Sequence, residues 1–200
     1  LASDWAAHFD ADPELCTRAA LLCKNDLATQ MVNEFPKLQG HVGSLLAICD
    51  GEHAEVASAI EEHYLPRYAE DALPTTATGI VLAMADRWDT LSNCFRLKLN
   101  PKGSGDPLGL RRAANGLLQI AISSGRPLDL KELCSSNDLI DTPLQNFLLA
   151  RLRTQLNDQH STEAINAVLE TGETELQGIV GRLKALQELI DEDGFAELRA

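Results

Sequence analysis

The sequence has no run of about 18 uncharged apolar residues, which is the minimum that a membrane-spanning helix needs. Its first residues, Leu1 to Trp5, also lack the basic segment followed by an apolar core that marks a secretory signal. From these features we expect neither a spanning segment nor a signal peptide in this sequence. We therefore expect a soluble, cytoplasmic protein that has no membrane partner.

The chain lacks paired cysteines, and this pattern argues against the common cysteine-based sites. The chain has five cysteines, an odd number, and no two of them form a CxxC pair. A disulfide framework or a zinc ribbon is therefore not expected. We predict reduced thiols that are mostly buried in the core.

Several motifs that bind nucleotides or carry nucleophiles are absent. The chain contains no GxxxxGK[ST], GxGxxG, GxSxG or HExxH sequence. Ser104 lies between Gly103 and Gly105, but the sequence places no general base beside it, and a flexible loop explains the two glycines. We therefore predict no catalytic residue, metal or cofactor in these 200 residues.

Basic residues are few, with 17 Lys and Arg against 30 Asp and Glu, and the net charge is -13. Such a balance excludes a nucleic-acid-binding surface over the whole chain. Residues 96–112 are the exception, since they hold five basic side chains and only one acidic one, Asp106. If any surface contacts phosphate, we expect it there; the alternative is a loop and helix start that happen to be basic.

Apolar residues recur at spacings of three and four almost throughout, and no segment alternates with period two for long. This pattern predicts an all-α fold. Ser124-Gly125-Arg126-Pro127 suits a helix end and predicts a domain boundary, giving a first domain at 1–125 and a second helical region at 126–200. Apolar periodicity and breaks predict helices at about 13–34, 52–65, 107–123, 128–139, 143–156, 161–170 and 175–189, and the spacing from Leu38 to Cys49 is also helical. The hydroxyls of Thr75-Thr76-Ala-Thr78 predict that a buried helix starts near them and contains the run Gly79 to Leu91, and Ser161 or Thr162 is expected to cap the helix at 161–170.

Four sequence blocks together resemble one protein family, the β subunit of bacterial-type glycyl-tRNA synthetase. The blocks are Met31-Val-Asn-Glu-Phe-Pro-Lys-Leu-Gln-Gly40, Glu61-Glu-His-Tyr-Leu-Pro-Arg67, Leu73-Pro-Thr-Thr-Ala-Thr-Gly79 running on to Leu91, and Pro101 to Arg112. They occur in the family's order with plausible spacing. The resemblance is most specific from about Ala20 to Leu118, and residues 127–200 match only as a helical continuation.

This resemblance implies an aminoacyl-tRNA synthetase, a glycine-tRNA ligase of two chain types that serves protein biosynthesis. The α subunit of such an enzyme carries the active site and uses ATP, glycine and Mg²⁺, and the β subunit binds glycine tRNA. The chain would then be a piece of the β subunit, leading toward an anticodon-binding domain beyond residue 200. Its expected partners are the α subunit, glycine tRNA and the remainder of the β chain. By itself it should not activate glycine.

The first domain also resembles HD-domain phosphohydrolases, in which His and Asp side chains hold a divalent metal. Cys23-Lys24 occupies the position of the His-Asp pair, whereas His63 and Asp86 resemble two retained positions. A Lys ammonium has no lone pair to offer a metal, so metal-dependent phosphohydrolysis is disfavoured. We expect His63 and Asp86 to form a buried hydrogen-bonded pair; the alternative is a weak vestigial metal site.

The tRNA contacts that the family resemblance suggests fall on the basic segment. Candidates are Lys98, Lys102, Ser104, Arg111 and Arg112. Gly105 and Leu108 replace the Lys and Phe that are usual in the family, and the change to Gly removes one possible phosphate contact. The competing interpretation is architectural: Asp106 caps a helix that begins at Pro107, and one Arg pairs with Asp86 or Asp89.

Overall fold

The computed structural model describes residues 1–101, 103, 105–135 and 143–191. Within these ranges the protein is all-α, as predicted, and no β-strand is present; one isolated antiparallel bridge joins Asp129 and Glu175. The helices are α1 (Ala2–Ala6), α2 (Pro13–Leu22), α3 (Gln30–Glu34), α4 (His41–Cys49), α5 (Ala54–Glu62), α6 (Ala77–Arg96), α7 (Leu110–Ser124), α8 (Leu130–Ser135), α9 (Pro143–Leu156), α10 (Thr162–Leu169) and α11 (Leu176–Asp191). Short 3-10 turns occupy Ala7–Phe9, Asn25–Ala28 and Pro36–Leu38.

The chain divides into two compact units, Leu1–Ile120 and Ala121–Ala200, and the division falls within α7. Helix α7 ends at Ser124, and Gly125 adopts a positive φ of 67°, the left-handed conformation in which a helix commonly stops. The roles assigned to the two predicted domains stay predictions.

In the first unit, α6 is the central helix, and α1, α2 and α5 pack against it. Twelve of its twenty residues are buried, including Trp88 and Met84, because its neighbours cover more than one face. Thr76 caps its N-terminus by accepting a hydrogen bond from Gly79 N at 3.0 Å. The capped start that the threonines predicted is therefore confirmed, although the helix continues five residues beyond Leu91.

The predicted helix at 13–34 is wrong, because the chain leaves helical geometry after Leu22. Asp26 turns into the protein, and its Oδ2 accepts a hydrogen bond from Gly40 N at 2.6 Å. Thr29 is extended and starts α3, since its Oγ1 accepts from Val32 N at 3.2 Å. The start predicted at Pro107 is also displaced: Gly109 has a φ of 67°, so α7 begins at Leu110.

In the second unit, the Asp129 carboxylate connects the starts of two helices. Asp129 Oδ1 accepts from Lys131 N and Glu132 N, at 2.7 and 2.9 Å, at the start of α8. Its Oδ2 accepts from Thr174 Oγ1 at 2.8 Å, just before α11. Of the two expected caps, Ser161 is the one that caps α10, by accepting a hydrogen bond from Ala164 N. The predicted helix at 128–139 extends into residues outside the described ranges.

The described cysteines are all free thiols. Cys16, Cys23 and Cys134 are buried, Cys94 is half-buried and Cys49 is exposed. The prediction of reduced, mostly buried cysteines is confirmed. A membrane crossing would need a longer and more apolar helix than any found in the described part of the chain.

Candidate nucleic-acid interface and the degenerate metal position

The residues at the degenerate metal position come together, but not as the sequence predicts. Lys24 lies just beyond the end of α2, and its Nζ is 3.0 Å from Asp86 Oδ1 on α6. The same Nζ lies 4.9 Å from the centroid of the Tyr64 ring, a cation–π distance. The Lys24 ammonium therefore supplies positive charge to Asp86 within the protein itself.

His63 does not pair with Asp86, so that prediction is wrong. His63 is fully buried, and its Nδ1 lies 2.6 Å from the carbonyl oxygen of Ile60, one turn earlier. Its Nε2 is buried without a hydrogen-bond partner. Burial, and then the positive charge of Lys24, lower the pKa of His63 to about 4, so the imidazole is neutral near pH 7.

Cys23, the fourth residue at the degenerate position, is a buried thiol whose Sγ lies 3.4 Å from the carbonyl oxygen of Ala20. Burial raises its pKa, so the thiol is the stable form and is a poor metal ligand. The side chains present do not fit a divalent cation, because an ammonium group already lies against Asp86. Among the described residues, no group of three or more His, Cys, Asp or Glu side chains is arranged to hold a metal ion.

Sequence reasoning missed Arg87, the neighbour of Asp86 on α6. Arg87 is only 8% exposed and donates to the backbone carbonyl groups of the segment that follows α5. Its Nη1 donates to the carbonyl oxygens of Ala83 and His63, and its Nη2 to those of Tyr64, Leu65 and Pro66, at 2.7 to 3.2 Å. Burial lowers the pKa of Arg87 to about 10, which leaves it charged at neutral pH. The signal in the sequence was a lone Arg in the long apolar stretch of α6.

The block Leu73 to Gly79 also has a structural explanation. The Glu62 carboxylate, at the end of α5, accepts from Thr75 Oγ1 at 2.7 Å and from Thr76 N and Oγ1 at 3.0 and 2.7 Å. Thr78 Oγ1 donates to Glu55 Oε1 at 2.6 Å. The threonines therefore fasten the start of α6 to α5.

The basic segment is divided between loop-holding and exposed side chains. Arg111 Nη1 donates to the carbonyl oxygen of Gly105 at 2.7 Å, and its Nη2 donates to that of Gly103. The backbone N–H of Arg111 donates to Asp106 Oδ2 at 3.0 Å, so Asp106 does bind the helix start. The predicted ion pair of an Arg with Asp86 or Asp89 is not formed. Asp86 pairs with Lys24, and Asp89 accepts a hydrogen bond from Asn93.

Among the described cations of this segment, Arg96, Lys98 and Arg112 are exposed. Lys98 has a positive φ of 58° just after α6, and its exposed side chain has no hydrogen bond or ion pair with the described residues. Arg112 is exposed on the first turn of α7 and likewise has none within the described ranges. Lys102 and Ser104 lie outside the described residues, and their proposed tRNA contacts stay predictions.

In the described residues, the fold and these contacts define an all-helical protein in which the buried side chains of Asp26, Thr78 and Arg87 hold helices and loops together. The chain matches the model of the family described as glycyl-tRNA synthetase beta subunit over residues 1–170. It therefore belongs to the glycyl-tRNA synthetase β-subunit family.

Individual relatives agree with the family match. A glycine-tRNA ligase beta subunit from Picosynechococcus sp. is 40% identical over 96% of this chain and 30% of its own length. One from Trichodesmium erythraeum is 44% identical over 87% of this chain and 26% of its own length. One from Hahella chejuensis is 40% identical over 100% of this chain and 30% of its own length. The chain thus spans less than a third of the length of these relatives.

Proposed function

We propose that this chain acts within the β subunit of glycine-tRNA ligase, where it helps to bind and position glycine tRNA for aminoacylation by the α subunit. In this proposal ATP and Mg²⁺ act at the α subunit, in the cytoplasm, and these 200 residues hold no catalytic group. The family match supports this proposal.

The observation that carries the RNA contact is the exposure of Lys98 and Arg112 on the one basic segment of an acidic chain. Phosphate contacts need cations that other groups of the protein do not occupy. Both side chains meet this condition among the described residues, whereas Arg111 is held by two loop carbonyl groups. We therefore assign phosphate contact to Lys98 and Arg112, and loop positioning to Arg111.

A purely architectural role is the second candidate, and the same Arg111 contacts favour it. Arg111 and Asp106 together fix the loop to the start of α7 without any RNA. The threonines on Glu62 and the five hydrogen bonds of Arg87 serve the same purpose in the rest of the unit. In this alternative the chain holds other domains in place and binds no tRNA itself.

A degenerate HD-type phosphohydrolase is disfavoured. The Lys24 ammonium lies where the resemblance would require a metal-binding Asp, and His63 is neutral, fully buried and turned onto a backbone carbonyl group. Hydrolysis of this kind needs a metal-activated water beside lone-pair donors. The resemblance to HD domains is one of sequence, and we assign no step of a reaction to it.

Fluorescence anisotropy with labelled glycine tRNA tests the proposal against the architectural alternative. The folded 200-residue chain is titrated at several salt concentrations beside a non-cognate tRNA of equal length. We expect binding that weakens with salt, because cations on the protein displace counterions from phosphate, and that favours glycine tRNA. No binding at low salt by a chain with a cooperative thermal transition would reject the RNA contact and favour the architectural role.

A further inference from the structure

The outer face of α4 is apolar where a surface helix is normally polar. Its sequence, His41-Val-Gly-Ser-Leu-Leu-Ala-Ile-Cys49, contains no Asp, Glu, Lys or Arg. Leu45, Leu46 and Ile48 are 50%, 44% and 57% exposed, and Cys49 beside them is exposed too. At 100° per residue these four positions fall on one continuous side of the helix. Gly43, Ser44 and Ala47 on the other side are buried, so α4 already has its core face.

A second exposed apolar row precedes α4. Leu27, Met31 and Phe35 are spaced by four residues and are 48%, 55% and 58% exposed. Leu27 belongs to the 3-10 turn Asn25–Ala28, which packs against α4. Met31 and Phe35 also belong to the first of the four family blocks, which no contact of the proposed tRNA site explains. We name these six side chains, with Cys49, the 27–49 apolar face.

Clustered exposure of this kind marks a surface that another surface covers. Scattered apolar residues are normal on a protein surface, but contiguous patches mark interaction sites. Permanent interfaces are more apolar than transient ones, and the helix that lines this face carries no formal charge. The acidic residues Glu34 and Asp50 flank the face in sequence, against the single basic Lys37. Glu52, also nearby in sequence, is already paired with Arg18. An occupant with an apolar centre and basic margins would complement it.

We propose that the 27–49 apolar face is covered permanently by another helical segment of the same β-subunit polypeptide, an apolar stripe flanked by Lys or Arg. This inference rests on the family membership and is independent of tRNA binding. The relatives carry about 70% of their length outside the matched region, and a segment on the same chain has a high effective concentration at the face. An intramolecular contact therefore needs no separate subunit.

Cys49 supplies a native probe of this face, because its thiol is exposed there. The rate of its alkylation by iodoacetamide, followed by peptide mass spectrometry, is compared in two polypeptides. One is the 200-residue chain, and the other is a chimaera in which these residues replace the matched segment of the Hahella chejuensis β subunit, which aligns with the whole of this chain. We expect Cys49 to react at least about tenfold more slowly in the chimaera without any α subunit, since covered thiols react only through local opening.

Three results would overturn the proposal. Equal Cys49 rates in both polypeptides would show that no segment of the β chain covers the face. Protection that arises only after the α subunit is added would make that subunit the occupant. Protection of the 200-residue chain that grows with its concentration would make a second copy the occupant. None of these results depends on tRNA, so failure here is distinct from failure of the proposed tRNA contact.

A second measurement applies if the chimaera does not fold. The double variant Leu45→Gln/Ile48→Gln in the 200-residue chain should keep its Tm within about 2 °C, as Leu21→Gln, an exposed leucine on α2, should also do. A fall of more than about 5 °C for the double variant alone would show that these side chains belong to the chain's own core, and the proposal would be rejected.

Discussion

Gly116 on α7 provides the space that the Arg87 side chain occupies. A Cβ built on Gly116 would lie 2.6 Å from Arg87 Nε and 3.3 Å from its Cδ. The Arg87 guanidinium is held by backbone carbonyl oxygens on two sides, so it has little freedom to move away. The absence of a side chain at residue 116 is therefore part of the fold.

Substitution of Gly116 by Ala should lower the free energy of unfolding by about 1–3 kcal/mol, because the added methyl group overpacks a buried site. Gly181→Ala on α11 is the matched control, since its built Cβ has no heavy atom within 4 Å other than those of its chain neighbours and its own helix backbone. The control should be neutral or more stable by up to about 1 kcal/mol, the usual gain of Ala over Gly in a helix. Urea denaturation of both variants measures the difference, and equal stabilities would contradict this account.

Arg87→Lys should destabilise the protein although it keeps the charge. Lysine has three donors at one point, whereas the two Arg87 Nη atoms reach carbonyl oxygens of five residues. Leaving several buried carbonyl groups without donors should cost about 3 kcal/mol in thermal or urea unfolding. The exposed Arg112→Lys variant is the control and should be within about 0.5 kcal/mol of the wild type.

Acidification should destabilise the protein through His63. Its folded-state pKa of about 4 lies below the ordinary value of 6.5, so between these two pH values the unfolded chain binds a proton that the folded chain does not. Stability is therefore fully present above pH 6.5 and falls as pH drops toward 4, by a contribution on the order of 3 kcal/mol.

The variant His63→Asn should remove this component of the pH dependence, since its amide can still donate to the carbonyl oxygen of Ile60 but does not titrate. The control is His53→Asn, which keeps an acceptor for Glu55 N at the start of α5. This variant should retain the pH dependence of the wild type. Urea unfolding at several pH values between 4 and 7 gives the slopes. A His63→Asn slope equal to that of the wild type would mean that another group is responsible.

Removing the Glu62 carboxylate should loosen the junction between α5 and α6. Glu62→Ala leaves Thr75 Oγ1 and the backbone N–H of Thr76 without their acceptor, at a cost of about 2 kcal/mol. Glu70→Ala, at an exposed position in the following loop, is the control and should change stability by less than about 0.5 kcal/mol. Hydrogen exchange should quicken at the first turn of α6 in Glu62→Ala alone; unchanged protection there would refute this role.

Local chemistry made much of the fold predictable. The caps of α6 and α10 come from the hydroxyl groups that the sequence offered, Thr76 and Ser161, since an N-cap depends only on residues three positions apart. The break after Leu22 was not predictable in the same way, because the partner of Asp26 is Gly40, fourteen residues away. A local pattern contains no information about such a contact.

The buried polar cluster was the least predictable part. His63 Nδ1 is hydrogen-bonded to the carbonyl oxygen of Ile60 in its own helical turn, and Lys24, at the end of another helix, pairs with Asp86. The expected pair of His63 and Asp86 therefore does not form. The sequence names the residues of such a cluster but not the pairing among them. For the same reason it could not separate Arg111, which holds the loop, from the exposed Arg112.

The salt dependence of glycine tRNA binding by charge variants tests the central claim most directly. The double variant Lys98→Ala/Arg112→Ala is compared with Lys184→Ala, which removes an exposed cation from α11. We predict that, at a given salt concentration, the double variant binds all tRNAs more weakly by about the same factor. The magnitude of its slope of log K against log salt should be smaller than that of the wild type by roughly 0.7–0.9 for each lost contact. Lys184→Ala should leave the slope unchanged. Equal slopes for the wild type and the double variant, both folded, would contradict a phosphate contact at residues 96–112.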